Sequence, residues 1–274
     1  MTTGLLCNLI SNLKKEYVKN DKSKNFIREF IPISNSTFPI SNHFLEGMHE
    51  FMENNKIYHT KYEVELLGIP CISYEGDINN YWLSSKKYDT NYQPFYPTWM
   101  ISSYLLALAT TEMGFTDLID IGSGDGRLNY CAQLLGLRSI SVEIDTNLCS
   151  LQEEIKRRAN VIYELIQENA NCIDLTKLKL SNPMIFISAQ PELGEMLANA
   201  LMKQIPSISN RCSFVGVNLM GTSQPRIYDR DHSLFGWGRF INDYKLSLLQ
   251  VMTLPTTWTV DQDSDTPYLF TLVK

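Results

Sequence analysis

The hydrophobic positions of this chain fall into two rhythms. In residues 5–31, Leu6, Leu9, Leu13 and Tyr17 recur at helical spacing, so the segment reads as one or two amphipathic helices. Pro32, Pro39 and the polar run Ser34–Thr37 interrupt the pattern, and it resumes over residues 42–55 with Phe44, Leu45, Met48, Phe51 and Met52 on one face. Glu63–Leu67 and Cys71–Tyr74 flank a Gly68–Pro70 turn and predict a short strand pair, while residues 76–92 are polar, aromatic and loop-like. Residues 1–92 are therefore expected to form a mainly helical accessory region, and residues 93–274 a second unit.

From residue 98 helices and strands alternate. A helix over Trp99–Met113 ends at Gly114, and an apolar strand follows at Leu118–Ile121. A glycine-rich turn leads into a helix whose apolar face is Leu128, Cys131, Ala132 and Leu135, with Gly136 placed to close it in a left-handed cap. The next strand is Ser139–Ile144. A third lies around Val161–Ile166, although Leu148–Gln167 also reads as one long helix. Further strands are expected at Met184–Ser188, Ser213–Leu219, Leu246–Thr253 and Tyr268–Val273. This βαβ order implies a parallel sheet.

Composition narrows the picture. Apolar residues make up 44% of the 274, enough for a sizeable core, and charged residues only 20%. The net charge of −6 argues against a nucleic-acid partner. The densest basic stretch, Lys14 to Arg28, is interleaved with Glu16, Asp21 and Glu29 and reads as a solvated helix face. The six cysteines show no CxxC spacing and the four histidines add no ligand pattern, so no metal site is expected and a reducing compartment fits. The apolar start Gly4–Ile10 lacks the marks of a signal peptide. The most apolar stretch, Trp99–Phe115, is broken by Ser102, Ser103, Thr110, Thr111 and Glu112. A soluble cytoplasmic protein without membrane contact is expected; nothing in the sequence sets its oligomeric state.

The chemistry concentrates between Asp117 and Asp145, DLIDIGSGDGRLNYCAQLLGLRSISVEID. Glycines let a backbone turn sharply and let a ligand lie against it, and ligands of open α/β sheets sit at the carboxyl ends of strands, where this turn falls. A carboxylate ending the next strand, Glu143, can accept two hydrogen bonds from a ribose diol. A dinucleotide fingerprint, G-x-G-x-x-G, would need its third glycine at Arg127, where this chain has G-x-G-x-G. Asp120 and Asp125 bracket the loop, which suits a cationic ligand better than a pyrophosphate.

The segment resembles motif I of the class I S-adenosylmethionine (SAM)-dependent methyltransferases. That resemblance implies a Rossmann-like α/β sheet, mostly parallel with an antiparallel last strand, and SAM as cofactor. It places Asp120 near the methionine end of SAM, the turn Gly122, Ser123, Gly124 and Gly126 beside it, and Glu143 on the ribose hydroxyls. Glu168-Asn169-Ala170 occupies the place of the family's adenine-contacting pair, making Asn169 and Ala170 candidates, with a plain polar loop as the alternative. Where enzymes that methylate nucleobase amines carry (Asp/Asn)-Pro-Pro-(Tyr/Phe), this chain has Ser188-Ala-Gln190-Pro191-Glu192, which departs from that class. Gln190 and Glu192 would lie near the transferred methyl; alternatively Pro191 simply opens a helix with Glu192 in its first turn.

Pro94-Phe95-Tyr96-Pro97-Thr98 is similar to a segment covering the SAM site in small protein-lysine methyltransferases, and Thr98 also reads as a helix N-cap. Tyr96 and Gln190 are thus the catalytic candidates. The mitochondrial members of that subgroup carry an N-terminal membrane anchor, and no counterpart of it is expected here. Tyr228, Asp229, Trp237 and Phe240 are candidates for an acceptor pocket, with packing as the alternative. The expected activity is methyl transfer to an unidentified acceptor, a protein (a lysine among others) or small molecule rather than nucleic acid. A SAM-binding scaffold without activity is the competing reading, and an aminopropyl transferase a more distant one.

Overall fold

A computed structural model describes residues 3–20, 25, 27–77, 95–223 and 233–274. Its centre is a seven-stranded sheet in the order β6-β5-β4-β7-β8-β10-β9. The strands are β4 (Asp117–Ile121), β5 (Arg138–Glu143), β6 (Glu164–Gln167), β7 (Pro183–Ile187), β8 (Gly216–Met220), β9 (Ser247–Leu254) and β10 (Thr266–Leu272). β4 to β8 pair in parallel, and β10 inserts antiparallel between β8 and β9. This is the expected Rossmann-like sheet with its antiparallel last strand. Ahead of it lie α1 (Thr3–Asn20), β1 (Ile27–Pro32), α2 (Asn42–Asn54), β2 (Tyr58–Leu66) and β3 (Ile69–Gly76). Both expected helical segments and the expected strand pair are present.

Two segments differ from expectation. Residues 27–32 form a strand, not the end of a helix, and complete a three-stranded antiparallel sheet β1-β3-β2. Every residue of β1 is buried, Arg28 and Glu29 included, so its sequence lacks the period-two alternation that marks a one-sided strand. The basic stretch is a solvated face only in part: Lys15 and Lys19 are exposed, but its ends are not. Lys14 is buried and pairs with Asp265 at 2.6 Å, and Arg28 is buried beside Asp261. In the 148–167 region, α5 (Thr146–Arg158) ends before Asn160, whose φ of 51° turns the chain into β6, so the single-long-helix reading fails.

The main sheet is covered on both faces, as a parallel sheet must be. On one side Ile119, Ile121, Ile185, Ile187, Val217 and Leu219 pack under α6 (Pro191–Met202) and α8 (Gly238–Asp243), with the short α7 (Ile205–Ser209) between them in sequence. On the other, Leu118, Met184 and Phe186 meet α3 (Met100–Glu112) and α4 (Arg127–Leu134). This second cluster continues without a break into Leu6, Ile10, Leu13, Phe30, Met48 and Phe51. The N-terminal elements therefore extend the core of the main sheet. Among the described residues no helix is long and apolar enough to cross a membrane.

Candidate functional site

The carboxyl ends of β4, β5 and β7 open onto a cavity of about 520 Å³, within the usual range for small-molecule sites. Its floor is the turn after β4. Gly122, Gly124 and Gly126 all have positive φ (78°, 59° and 78°), a region costly for side-chain-bearing residues. Their surroundings differ. A Cβ on Gly122 would meet nothing within 4 Å, so this glycine faces open cavity. A Cβ on Gly124 would collide with the ring of Phe95, and one on Gly126 with Tyr163 and Gln152. Gly122, Ser123 and Gly124 line the cavity and Gly126 does not. The Ser123 hydroxyl turns inward, 2.6 Å from Ser141 Oγ, and accepts from Gln152 Nε2 at 3.1 Å.

Gly122→Val is accordingly expected to fill the cavity floor and abolish ligand binding. Strain at the positive φ should lower stability by about 1–2 kcal/mol, leaving a folded protein. Calorimetric titration beside a melting curve checks this, and wild-type affinity in the variant would remove Gly122 from the floor. Gly124→Val must also displace Phe95, so its loss of binding should come with a larger loss of stability.

Three acids surround the floor in different states. Asp120 is buried and accepts from Ser188 Oγ at 2.7 Å. Burial raises its pKa to about 7; the Ser188 bond opposes the shift, and nearby Glu143 and Asp125 add to it. Glu143 ends β5. One of its oxygens accepts the Gly124 N–H at 2.8 Å, and the other accepts those of Ile144 and Asp145 at 2.8 and 2.9 Å. Burial raises its pKa too, against the pull of these three N–H groups. Glu143 thus ties the glycine turn to the neighbouring strand besides facing the cavity.

Asp125 does not offer its charge to a ligand as its sequence position suggested. It is clamped by Arg127, with Nη2 at 2.6 Å and Nε at 2.9 Å, and accepts from Asn55 Nδ2 at 2.8 Å. Arg127, at the place of a dinucleotide site's third glycine, also reaches Glu29 on β1 at 2.9 Å, the Tyr58 hydroxyl at 3.0 Å and the Thr98 carbonyl. The cationic-ligand argument therefore rests on Asp120 and Glu143.

The remaining expected residues separate. Asn169 and Ala170 lie on the cavity beyond β6, where Asn169 Oδ1 accepts from the Asn171 N–H at 3.0 Å. Tyr96 lines the mouth and is 39% exposed. Thr98 is not the cap of α3, since Trp99 holds that position; its hydroxyl instead bonds Tyr268 at 2.9 Å. Gln190 caps α6 outside the cavity lining, with Pro191 opening the helix as the plainer reading had it, and Ser188 and Ala189 line the wall instead. Trp237 and Phe240 are core residues: the Trp237 indole donates to the Met220 carbonyl at 2.8 Å and meets the Phe240 ring edge to face. Their reading as acceptor-pocket residues is corrected to packing. Tyr228 and Asp229 lie outside the described residues. Sequence reasoning missed Ser103, Ser188, Trp258 and Tyr268 on the lining, because only the folded sheet brings them to β4. Among the described residues no group of His, Cys, Asp or Glu is arranged for a metal ion.

No protein-family profile matches this chain, and no curated protein matches it. Solved structures do. The O-methyltransferase from Bacillus cereus in complex with SAH is 12% identical, over 88% of this chain and 95% of that one, with a TM-score of 0.51. A putative O-methyltransferase from Klebsiella pneumoniae is 15% identical over 73% and 91%, with a TM-score of 0.47. Magnesium protoporphyrin IX methyltransferase from Synechocystis with bound SAM is 12% identical over 64% and 78%, also at 0.47. The likeness to the Bacillus cereus structure spans most of both chains and is a likeness of fold. The chain has the Rossmann-like fold of SAM-dependent methyltransferases.

Proposed function

We propose that the cavity binds SAM and that the protein transfers the methyl group to an acceptor entering past Tyr96. The observation that carries this reading is the open face of Gly122 between two buried acids, Asp120 and Glu143. A flat, cationic nucleoside fits that cradle, and a pyrophosphate would meet uncompensated negative charge.

When bound, SAM supplies a methyl group already activated on a sulfonium. Asp120 would hold the cationic amino-acid end, Gly122 and Gly124 the backbone contact, Glu143 the ribose hydroxyls, and Asn169 with Ala170 the base. Tyr96 and Ser188 would orient the acceptor. Holding an acceptor in line supplies roughly 7–11 kcal/mol in favourable cases, so no nucleophile or metal is required of the chain. We favour a protein or small-molecule acceptor, with a lysine side chain as the first to test, because the Phe95–Thr98 segment lies on the cavity. Six free thiols support a reducing, cytoplasmic setting.

Calorimetry should show binding of SAM or S-adenosylhomocysteine and none of NAD. Tight NAD binding without SAM binding would overturn the assignment. Labelled SAM incubated with cell extract then tests transfer, and binding without any labelled product would favour a scaffold.

A further inference from the structure

The turn that floors the cavity is rich in glycine, the residue with the freest backbone, so it keeps one shape only if other groups hold it. Gly124 is held at both ends of its peptide plane: Glu143 accepts its N–H at 2.8 Å, and Gln152 of α5 donates to its carbonyl at 2.7 Å. Between Gly124 and Gly126 the handle is the Asp125 side chain. Arg127 grips it, but Arg127 is two residues away and can move with the turn. Among the described residues, the partner of Asp125 from outside the turn and its helix is Asn55, just after α2, whose Nδ2 donates at 2.8 Å. Asn55 is 1% exposed, and its Oδ1 accepts the Ile57 N–H at 3.1 Å, so both ends of its amide are committed inside the protein. An asparagine closing a helix is often explained by a left-handed backbone; Asn55 has a φ of −92°, so its bonds and not its backbone account for it. Arg127 repeats the connection, reaching Glu29 of β1 and Tyr58 of β2.

We infer that Asn55 is a positioning residue for the cofactor: acting through Asp125, it ties the glycine turn to the N-terminal elements, so that their packing and the affinity of the cavity for SAM are coupled. Asn55 itself touches no ligand. The coupling is reciprocal, and a ligand that gains affinity from the N-terminal elements must stabilise them to the same extent when it binds. The inference rests on the reading of the cavity as a SAM site.

The test uses the full-length protein and S-adenosylhomocysteine, well below the melting temperature of each variant. Asn55→Ala cuts the tether and leaves Asp125 paired with Arg127. If the turn then holds its binding shape for about a tenth to a third of the time, affinity falls about 3- to 10-fold in calorimetry. The same substitution made on top of Asp125→Ala should change affinity by less than about twofold, because the tether is already gone. Leu45, buried on α2, has no polar group to reach Asp125; Leu45→Ala should lower stability and leave affinity at the wild-type value. Hydrogen exchange gives a reading that needs no variant. The Ile57 amide, bonded to Asn55, should exchange more slowly when the ligand is bound, by a larger factor than the β9 amides paired with β10. Four results would each overturn the positioning role and leave the SAM site standing: wild-type affinity in folded Asn55→Ala, an equal loss in Leu45→Ala, an equal loss with Asp125 already replaced, or Ile57 exchange indifferent to ligand. No binding of S-adenosylhomocysteine by the wild type would overturn both.

Discussion

Arg127→Met should destabilise the protein by about 3–5 kcal/mol, the usual penalty for removing one partner of a buried ion pair. Asp125 and Glu29 are 1% and 0% exposed, and the guanidinium lies between them. Without it, Asp125 keeps only the Asn55 amide as a side-chain donor, and Glu29 keeps the Tyr58 hydroxyl and the Met100 N–H. Two carboxylates would then face each other in a low-dielectric interior. Urea denaturation measures the loss. Adding Asp125→Asn and Glu29→Gln to Arg127→Met should recover part of it, because the uncompensated charges disappear together. A loss below about 1 kcal/mol in the single variant would mean that the cluster relaxes or hydrates, contrary to this account.

The affinity for SAM should fall steeply on acidification. The Asp120 carboxyl has a pKa near 7, raised chiefly by burial, and a cationic ligand prefers its ionised form. Binding is thus favoured above pH 7 and opposed below it, weakening by about tenfold per unit, or roughly 50-fold between pH 7 and pH 5. Without ligand the sign reverses. The folded value lies above the ordinary 3.8 of an aspartic acid, so the folded state holds the proton more tightly than the unfolded chain. Asp120 therefore withdraws stability as pH rises through that window. Asp120→Asn should bind SAM weakly, with a flatter pH profile, and should be more stable than wild type at pH 8 without ligand. Glu143, also raised by burial, supplies a slope of the same sign that persists in the variant. A wild-type affinity unchanged from pH 5 to pH 8 would show that Asp120 does not meet the cation.

Much of this was legible in the chain because glycines and strand-end acids have few substitutes. The Gly122–Gly126 turn, the β4 and β5 strands and the Gly136 cap, with its φ of 76°, follow from local rules. β1 was not legible, because a strand buried on both faces shows no alternation. The partner of Asp125 was hidden for a different reason: Arg127 is two residues away, but Glu29 and Tyr58, which complete its cage, come from nearly a hundred and nearly seventy positions earlier. Glu143 read as a ligand acid, and its hold on the Gly124 amide depends on how the turn folds back over β5. The aromatic residues Trp237 and Phe240 looked available because composition alone cannot separate a loop over a site from a short helix packed against a sheet.

The seating of α1 bears on how the polypeptide matures during synthesis. Lys14 is sealed by the Asp265 carboxylate and the Gln262 carbonyl, and Ser11 also donates to Asp265 at 2.6 Å. These partners are translated some 250 residues after α1. At roughly 5–20 residues per second, the helix leaves the ribosome well over ten seconds before its lock exists. During that interval Leu6, Ile10, Leu13 and Tyr17 have only part of their eventual cover, and the nascent chain presents an apolar stripe of the kind holding chaperones recognise. Docking of α1 is thus a ring-closing step that waits for the segment carrying Gln262 and Asp265.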